Sequence, residues 1–399
     1  MAQIQKKQNM IHITNKKDCC GCGSCIQRCP RHCISLIEDY EGFLYPEVDI
    51  SKCINCGLCE KACPLLNRTK ASLPLSVFAV KNRNEDERMA SSSGGIFIAL
   101  AKEVLAKNGV VFGAIFDKNW EVRHTYTEEM DGVKAMMGSK YLQSRMENSY
   151  VNAEHFLKTG REVLFCGSPC QIAGLHKYLR KPYPNLLSVD FLCHGVPSPG
   201  VWRKYLNETF AKSLIQSIEF REKTSHGWKN FSFVIRGTFG FKVDERTILQ
   251  SNIHRENTFM RGFLSNIYLR PSCYDCRCKN GVSQSDITIA DYWGIHILMP
   301  DFDDNKGVGL VLVNTAKGKA YFNSLSIESR PSSLEDAKRF NGGFKESITP
   351  HPKREKFYSM IANGCSVTSA VNQCLKMTFL RKLANRTKRI IKKGKHIIK

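Results

Sequence analysis

Two runs of four cysteines, each closing on Cys-Pro, constrain this chain more than any other feature. Cys19, Cys22, Cys25 and Cys29 precede Pro30 with the spacing C-x2-C-x2-C-x3-C-P, and Cys53, Cys56, Cys59 and Cys63 repeat it before Pro64. Three thiolates at this spacing wrap a tight loop around one face of an iron–sulfur cubane, while the fourth, on the following turn, points away and ligates the other cluster. The spacing therefore predicts one 4Fe–4S cluster on Cys19, Cys22, Cys25 and Cys63, and a second on Cys53, Cys56, Cys59 and Cys29. Zinc also accepts four thiolates in a tetrahedron, but it calls for C-x2-C pairs rather than two complete runs of four. Cys20 and Cys33 fall outside the pattern and read as small buried hydrophobes.

At 399 residues the chain has room for a ferredoxin module and one or two α/β domains. A 42% hydrophobic and 24% charged composition is ordinary for a globular protein, and no stretch reaches the ~18 apolar residues of a spanning helix. The opening MAQIQKKQNMIHITNKKDCC lacks an apolar core and a small-residue cleavage site, so the expected location is cytoplasmic. Eighteen cysteines without an export signal favour metal or redox chemistry over disulfides. Ten lie between Cys19 and Cys63, and six of the other eight fall within 166–193 and 273–278.

The formal charge of +22 is uneven. Residues 376–399 hold ten Lys and Arg and no acid, leaving 49 Lys and Arg against 37 Asp and Glu elsewhere. A basic body suits acidic partners such as ferredoxin-type donors, or anionic substrates. The tail also spaces Phe379, Leu380, Leu383, Ile390, Ile391, Ile397 and Ile398 so that part could share one helical face. Peripheral contact with an anionic membrane at its inner face, a solvated tail and nucleic-acid binding all fit, nucleic acid least well.

Between these ends, 66–76 reads as a polar linker, and an α/β alternation follows. Helical periodicity covers 94–107, 148–159 and the segment opening at Ser168, whose N-cap serine and first-turn Pro169 are helix-start signals. Strands are expected over 110–116, 121–127, 162–167, 185–193, 286–294 and 308–314. A strand-rich stretch covers 213–250, a helix lies near 257–266, and the chain is helical from 353. The periodicity does not give strand order.

Five segments, SSSGGIFIALA (91–101), GSKYLQS (138–144), FCGSPCQIAGL (165–175), DFLCHGVPSP (190–199) and CYDCRCKNGVSQSDITIADYWG (273–294), carry a resemblance. With the ferredoxin module before them, the chain resembles the beta-subunit family of coenzyme F420 hydrogenases and dehydrogenases. The resemblance implies a fold class of α+β and α/β parts: a dicluster bacterial-type ferredoxin fold over 10–68, then α/β regions over 76–155 and 156–350, with a basic helical tail over 351–399. It implies an iron–sulfur flavoprotein oxidoreductase that passes electrons from a ferredoxin-like donor or partner redox subunit to a small-molecule acceptor. Some such proteins are associated with surface polysaccharide biosynthesis. The fused dicluster module suggests an electron input of its own, and a deazaflavin pocket is not predicted.

By the same resemblance, Cys170, Cys193, Cys273 and Cys276 match a third 4Fe–4S cluster, with Cys166 and Cys278 as neighbours that could replace one of them. Zinc, a redox-active Cys166/Cys170 pair and buried thiols remain alternatives. Ser92, Ser93, Gly94 and Gly95 form a turn entering a helix, where backbone N–H groups suit a pyrophosphate, and the resemblance turns this into an FAD site with Lys140 and Tyr141. His194 reads as a donor to cluster sulfur or substrate, or as a structural histidine. Tyr292 and Trp293 are expected to pack under the third cluster, and Asp291 to orient a ligand or cap a turn. No catalytic acid is assigned. A non-catalytic electron-transfer subunit is the rival reading; a radical enzyme using S-adenosylmethionine lacks its C-x3-C-x2-C run.

Overall fold

The computed structural model describes residues 9–211, 213–239, 247–344 and 346–376. The expected basic run beyond Lys376 therefore lies outside the described residues, as does part of the predicted strand region at 240–246. Among the described residues no helix is long and apolar enough to cross a membrane.

The N-terminal module is built around its cysteine loops. A hairpin, β1 (Ile34–Glu38) and β2 (Leu44–Val48), joins the two repeats in antiparallel register. The core beside it contains Ile11, Ile34 and the side chains of Cys29, Cys33 and Cys59. So small an apolar core leaves most of the module's cohesion to whatever its thiols hold.

The body is organised by eight further strands in one sheet: β3 (Ser76–Asn82), β4 (Val110–Phe116), β5 (Val122–Thr127), β6 (Val163–Gly167) and β7 (Leu186–Phe191), then three numbered after a second, smaller sheet. That smaller sheet is the antiparallel trio β8 (Ser213–Glu222), β9 (Ser232–Phe239) and β10 (Thr247–Ile253). The large sheet is completed by β11 (Ile287–Asp291), β12 (Gly309–Val313) and β13 (Ile327–Ser332), in the order β13-β3-β12-β11-β7-β6-β4-β5. Its centre, β4-β6-β7-β11, is parallel, and antiparallel strands close both sides. Strands from both sides of residue 155 alternate in this sheet, so the segments 76–155 and 156–350 interleave in one architecture.

Alternation explains how the sheet buries both faces. Val111, Leu164, Val311 and Val313 point to a core shared with Ile96, Leu100 and Val104 of the helix Ile96–Leu105. Their neighbours Val110, Phe112, Val163 and Phe165 point the other way, onto the helices Ser149–Lys158 and Pro169–Leu179. The helix expected from Gly94 starts two residues later, because Gly95 stands at φ +78°, a left-handed conformation that serves as the cap. The small sheet packs with Trp202 and Tyr205 of the helix Pro199–Phe210 and with Phe357 and Val371 from the last two helices described.

The module docks firmly on this body. Ser24 Oγ donates to Gly174 O at 3.1 Å, and Gln27 Oε1 accepts from Tyr150 N at 2.8 Å. Glu41, 5% exposed, takes a two-pronged ion pair from Arg354, with its Nη1 contact at 2.6 Å. Gly42, at φ +82°, lies so close to the body that a Cβ there would stand 2.5 Å from Gly200 Cα. Only glycine serves both the conformation and the contact.

Candidate metal centres and cofactor site

The two cysteine repeats share a backbone solution. Gly21 and Gly23 in the first stand at φ +69° and +73°; Asn55 and Gly57, in the same places of the second, stand at +55° and +69°. These left-handed residues curl each loop so that its thiols face inward. Gly23 and Gly57 then open short helices, Ser24–Gln27 and Leu58–Lys61, that carry Cys25 and Cys59.

The structure brings the cysteines together in the crossed sets that the spacing predicts. Cys29 joins Cys53, Cys56 and Cys59 around one cavity, with Cys33 on its wall and Cys56 exposed at the surface. Burial, and then the thiols of Cys19, Cys63 and Cys59, push Cys25 upward, which places Cys63 from the second repeat beside the first. Ile11 N donates to Cys59 Sγ at 3.3 Å, a contact that favours thiolate. Cys33 Sγ lies 3.4 Å from Cys29 Sγ, so it is a buried thiol within the site rather than one remote from it.

A second thiol cavity lies where the body meets the module. It is lined by Cys170, Cys193, Cys273 and Cys276, together with Cys20 and Cys278. Cys170 and Cys193 follow the carboxyl ends of the adjacent parallel strands β6 and β7, where α/β sheets gather functional groups. The loop bearing Cys273 and Cys276 is held against them by a bridge between Pro197 and Leu269 and by Arg270 N donating to Val196 O at 3.0 Å. Burial, and then Cys273, Cys170 and Cys276, push the Cys193 thiol well up. Thiols this crowded stay protonated until a cation takes their protons' place, so the donor set fits an iron–sulfur cluster. Among the described residues no three His, Cys, Asp or Glu side chains converge for a single metal ion.

One reading from the sequence changes here. Cys20 is not an isolated hydrophobe: its contact with Cys170 is the leading influence that raises the Cys170 thiol, and burial is the next. Its neighbours Cys19 and Cys22 belong to the first repeat, so one short loop carries cysteines of the module and also faces the cavity of the third set. Tyr292 and Trp293 follow β11, whose parallel neighbour β7 leads into Cys193. Trp293 stacks on Trp228 with ring centres 5.0 Å apart, and Tyr292 is fully buried in the same core, against which Leu192 beside Cys193 also packs. His194 lines the cavity, and its Nε2 is bonded to Asn266 Oδ1 at 2.7 Å, a structural bond. Of the spare cysteines, Cys278 is on the cavity wall and Cys166 is absent from it.

A buried polar chain fixes the Cys170 turn. His124 Nε2 donates to Cys166 O at 3.0 Å, which makes Nδ1 the acceptor of the Ser144 hydroxyl at 2.7 Å. Ser144 Oγ accepts from Gln171 Nε2 at 2.8 Å, and Gln171 Oε1 accepts from Ser168 N at 2.8 Å, closing the cap of the helix that carries Cys170. Burial holds the His124 imidazole neutral, with its pKa lowered to about 4.

The residues named for a flavin also meet. Ser92 Oγ accepts from Ser139 N at 2.6 Å, joining the Ser91–Gly95 turn to the loop with Lys140 and Tyr141. Ser93 Oγ donates to Val308 O at 2.9 Å, and Gly94 lets the turn press on Val80 O and Gly309 N, where a Cβ would stand at 2.4 Å. Lys140 Nζ donates to Met137 O at 2.9 Å, and burial lowers its pKa to about 7. The buried Lys223 donates to Arg88 O at 2.6 Å and to Ser93 O at 3.2 Å. Arg221 pairs with Asp291 through one nitrogen, while its buried Nε and Nη2 have no partner. Asp291 thus orients an arginine and also accepts from Trp228 Nε1 at 2.9 Å. Tyr141, beside Arg221, packs on Phe263 at 4.8 Å. The buried Lys223, the half-buried Lys140 and an arginine with free donors fit a ligand rich in phosphate and carbonyl oxygen, as FAD is. Nothing local in the sequence marks Arg221 or Lys223; they lie on or just after a strand whose alternation reads as ordinary core.

Comparison with known proteins gives names to these parts. Residues 160–333 match the family model for the C-terminal part of the coenzyme F420 hydrogenase/dehydrogenase beta subunit, and residues 18–66 match that of the 4Fe-4S dicluster domain. A coenzyme F420-dependent sulfite reductase of Methanocaldococcus jannaschii is 27% identical over 221 residues, 54% of this chain but 34% of that protein. The chain thus spans about a third of that relative's length. A ferredoxin of the same organism, itself uncharacterised, is 33% identical over 75 residues, 19% of this chain and 87% of the ferredoxin. Among solved structures, a chain of the F420-reducing nickel–iron hydrogenase complex from Methanosarcina barkeri aligns over 74% of this chain and 96% of its own, at 13% identity and a TM-score of 0.47.

Proposed function

Because the chain belongs to the coenzyme F420 hydrogenase/dehydrogenase beta-subunit family and carries a 4Fe–4S dicluster domain, and is thus an iron–sulfur redox protein of that type, we propose that it is a flavoprotein oxidoreductase taking electrons from a ferredoxin-like donor to an organic acceptor. The observation that carries this reading is the shared wall between the two thiol regions. Cys20 and Cys170 line one cavity, and a Cβ at Gly174 would stand 3.0 Å from Cys22 Sγ, so a helix of the body rests directly on the first repeat. In this proposal Cys19, Cys22, Cys25 and Cys63 hold the inner cluster of the module, and Cys29, Cys53, Cys56 and Cys59 hold the outer one. Cys170, Cys193, Cys273 and Cys276 hold a third. The exposed Cys56 marks the outer site as the side a donor would approach.

FAD, when bound, supplies the conversion between one-electron and two-electron transfer. The chain's residues prepare that site. The Ser91–Gly95 turn presents backbone N–H groups, Arg221 offers its free donors, and Lys140 places a half-buried amine at the other loop. A surface-polysaccharide metabolite as acceptor is suggested by the family resemblance alone.

The test is iron, acid-labile sulfide and flavin analysis of anaerobically purified protein. About twelve irons per chain together with FAD is the expected outcome. About eight irons without flavin would leave the module alone and favour an electron-transfer subunit that docks onto a separate enzyme.

A further inference from the structure

Arg270 is 0% exposed, at the seam between body and module. Its Nε donates to Cys19 O at 2.8 Å, Nη1 to Gln143 Oε1 at 2.8 Å, and Nη2 to Leu44 O at 3.0 Å, with Cys19 Sγ 3.5 Å from Nη2. The guanidinium lies over the Tyr45 ring at 4.3 Å and near that of Phe43 at 5.4 Å. Among the described residues no aspartate or glutamate pairs with it. A buried cation without a counter-charge costs several kcal/mol, so this arrangement is stable only where a negative group faces it. The sulfur of Cys19 is the group in place.

The surroundings are built to hold that approach. Gln143 clamps both parties, since its Nε2 donates to Cys20 O at 3.1 Å while its Oε1 takes Arg270 Nη1. Gly21 leaves the room: a Cβ there would stand 2.3 Å from Gln143 Nε2 and 2.9 Å from Arg270 Nη1. Arg270 also begins the loop of the third cavity, where Cys273 N donates to Arg270 O at 2.9 Å. The outer cavity has a cation on its wall too, Arg31, but that residue is exposed and its field is screened by water and salt.

We propose that Arg270 is the counter-ion of the inner cluster, held by Cys19, Cys22, Cys25 and Cys63, and that it raises this cluster's reduction potential above that of the outer one. One-electron reduction adds one negative charge to a cluster already made anionic by four thiolates. A buried cation beside a ligand sulfur therefore stabilises the reduced form more than the oxidised form. Electrons arriving at the outer site are thereby drawn toward the body. Arg270 is a positioning residue here, acting through Cys19.

This inference rests on the reading that the module holds two clusters, and iron analysis of the unaltered protein, with about eight irons expected from the module, tests that reading separately. The inference itself is tested by redox titration followed by EPR on holoprotein with Arg270→Gln and Arg270→Lys. Arg270→Gln should move the midpoint potential of one cluster to more negative values and leave the others in place, and Arg270→Lys should restore most of the shift. An unchanged set of potentials in fully loaded Arg270→Gln protein overturns the proposal. Should that variant lose iron, pulsed EPR of reduced, unaltered protein labelled with nitrogen-15 in its arginine guanidinium groups decides. Coupling of the label to the inner cluster supports Arg270 as counter-ion, and absence of coupling there overturns it, since Arg31 and Arg277 line the outer and third cavities instead.

Discussion

The first cysteine repeat places Cys19, Cys22 and Cys25 on one loop, whereas the third set draws Cys170, Cys193, Cys273 and Cys276 from three loops that meet only in the folded body. The first arrangement is made by local backbone: left-handed residues at fixed places turn each loop inward. The second is made by the sheet, through the adjacency of β6 and β7 and the bridge from Pro197 to Leu269. A site of the first kind has little fold beneath it and depends on its metal. A site of the second kind is positioned before any metal arrives.

The largest expected effect follows from that difference. Stripping iron with a chelator under anaerobic conditions should release the module while the eight-stranded sheet stays folded. Measured by hydrogen exchange, amides of the β1–β2 hairpin should lose most of their protection and those of β6 and β7 should keep theirs. Equal loss in both regions would show that the body also depends on bound metal and would erase the contrast.

Next in size is the response to single cysteine substitutions. Cys170→Ala should remove about four of about twelve irons and leave the module's EPR signals intact, because the third set shares no ligand with the repeats. Cys29→Ala should remove the outer cluster and, since that cluster forms much of the module's core, disturb the inner one as well. Iron counts that fall together in Cys170→Ala would mean that the Cys20 loop couples the third set to the first repeat more tightly than their separate segments suggest.

What the sequence made legible divides along the same line. The dicluster domain was readable because it depends on the spacing within each short cysteine run, and β4, β6 and β7 were readable because buried parallel strands are apolar runs between helix signals. Strand order was not, since β3 pairs with β12 and β13 across more than 200 residues of chain. The place of Cys20 was not legible because the cysteines that share its cavity, Cys170 among them, lie on distant segments. Arg270 carries no local signal at all. Its meaning comes from Cys19, Leu44 and Gln143, which belong to other segments.

The docking contacts offer a smaller perturbation, confined to the seam. Glu41→Gln would leave Arg354 half of its two-pronged partner and an unbalanced buried charge, at a cost of about 3–5 kcal/mol. The loss should appear as a lower unfolding midpoint for the holoprotein, and the hairpin should open before the body. If the whole chain instead melts in one unchanged transition, the module and body are held together chiefly through the cysteine cavities.

The smallest effect is a pH dependence that only the body should show. His124 is neutral when folded, with a pKa of about 4 against 6.5 in an unfolded chain, so between these values the unfolded state binds the extra proton. Stability from this residue is complete above pH 6.5 and is lost as pH falls toward 4, a decline of about 3 kcal/mol. His124→Gln keeps an amide that can donate to Cys166 O and accept from Ser144, so it should flatten this slope in denaturant titrations carried out between about pH 7 and 4. Because the same chain of bonds runs through Ser144 and Gln171 to Ser168, acid should loosen the Cys170 turn and leave the repeats of the module, which contain no such histidine network among the described residues, unaffected. An unaltered slope in His124→Gln would place the acid sensitivity in other histidines whose pKa burial lowers, such as His176 and His194.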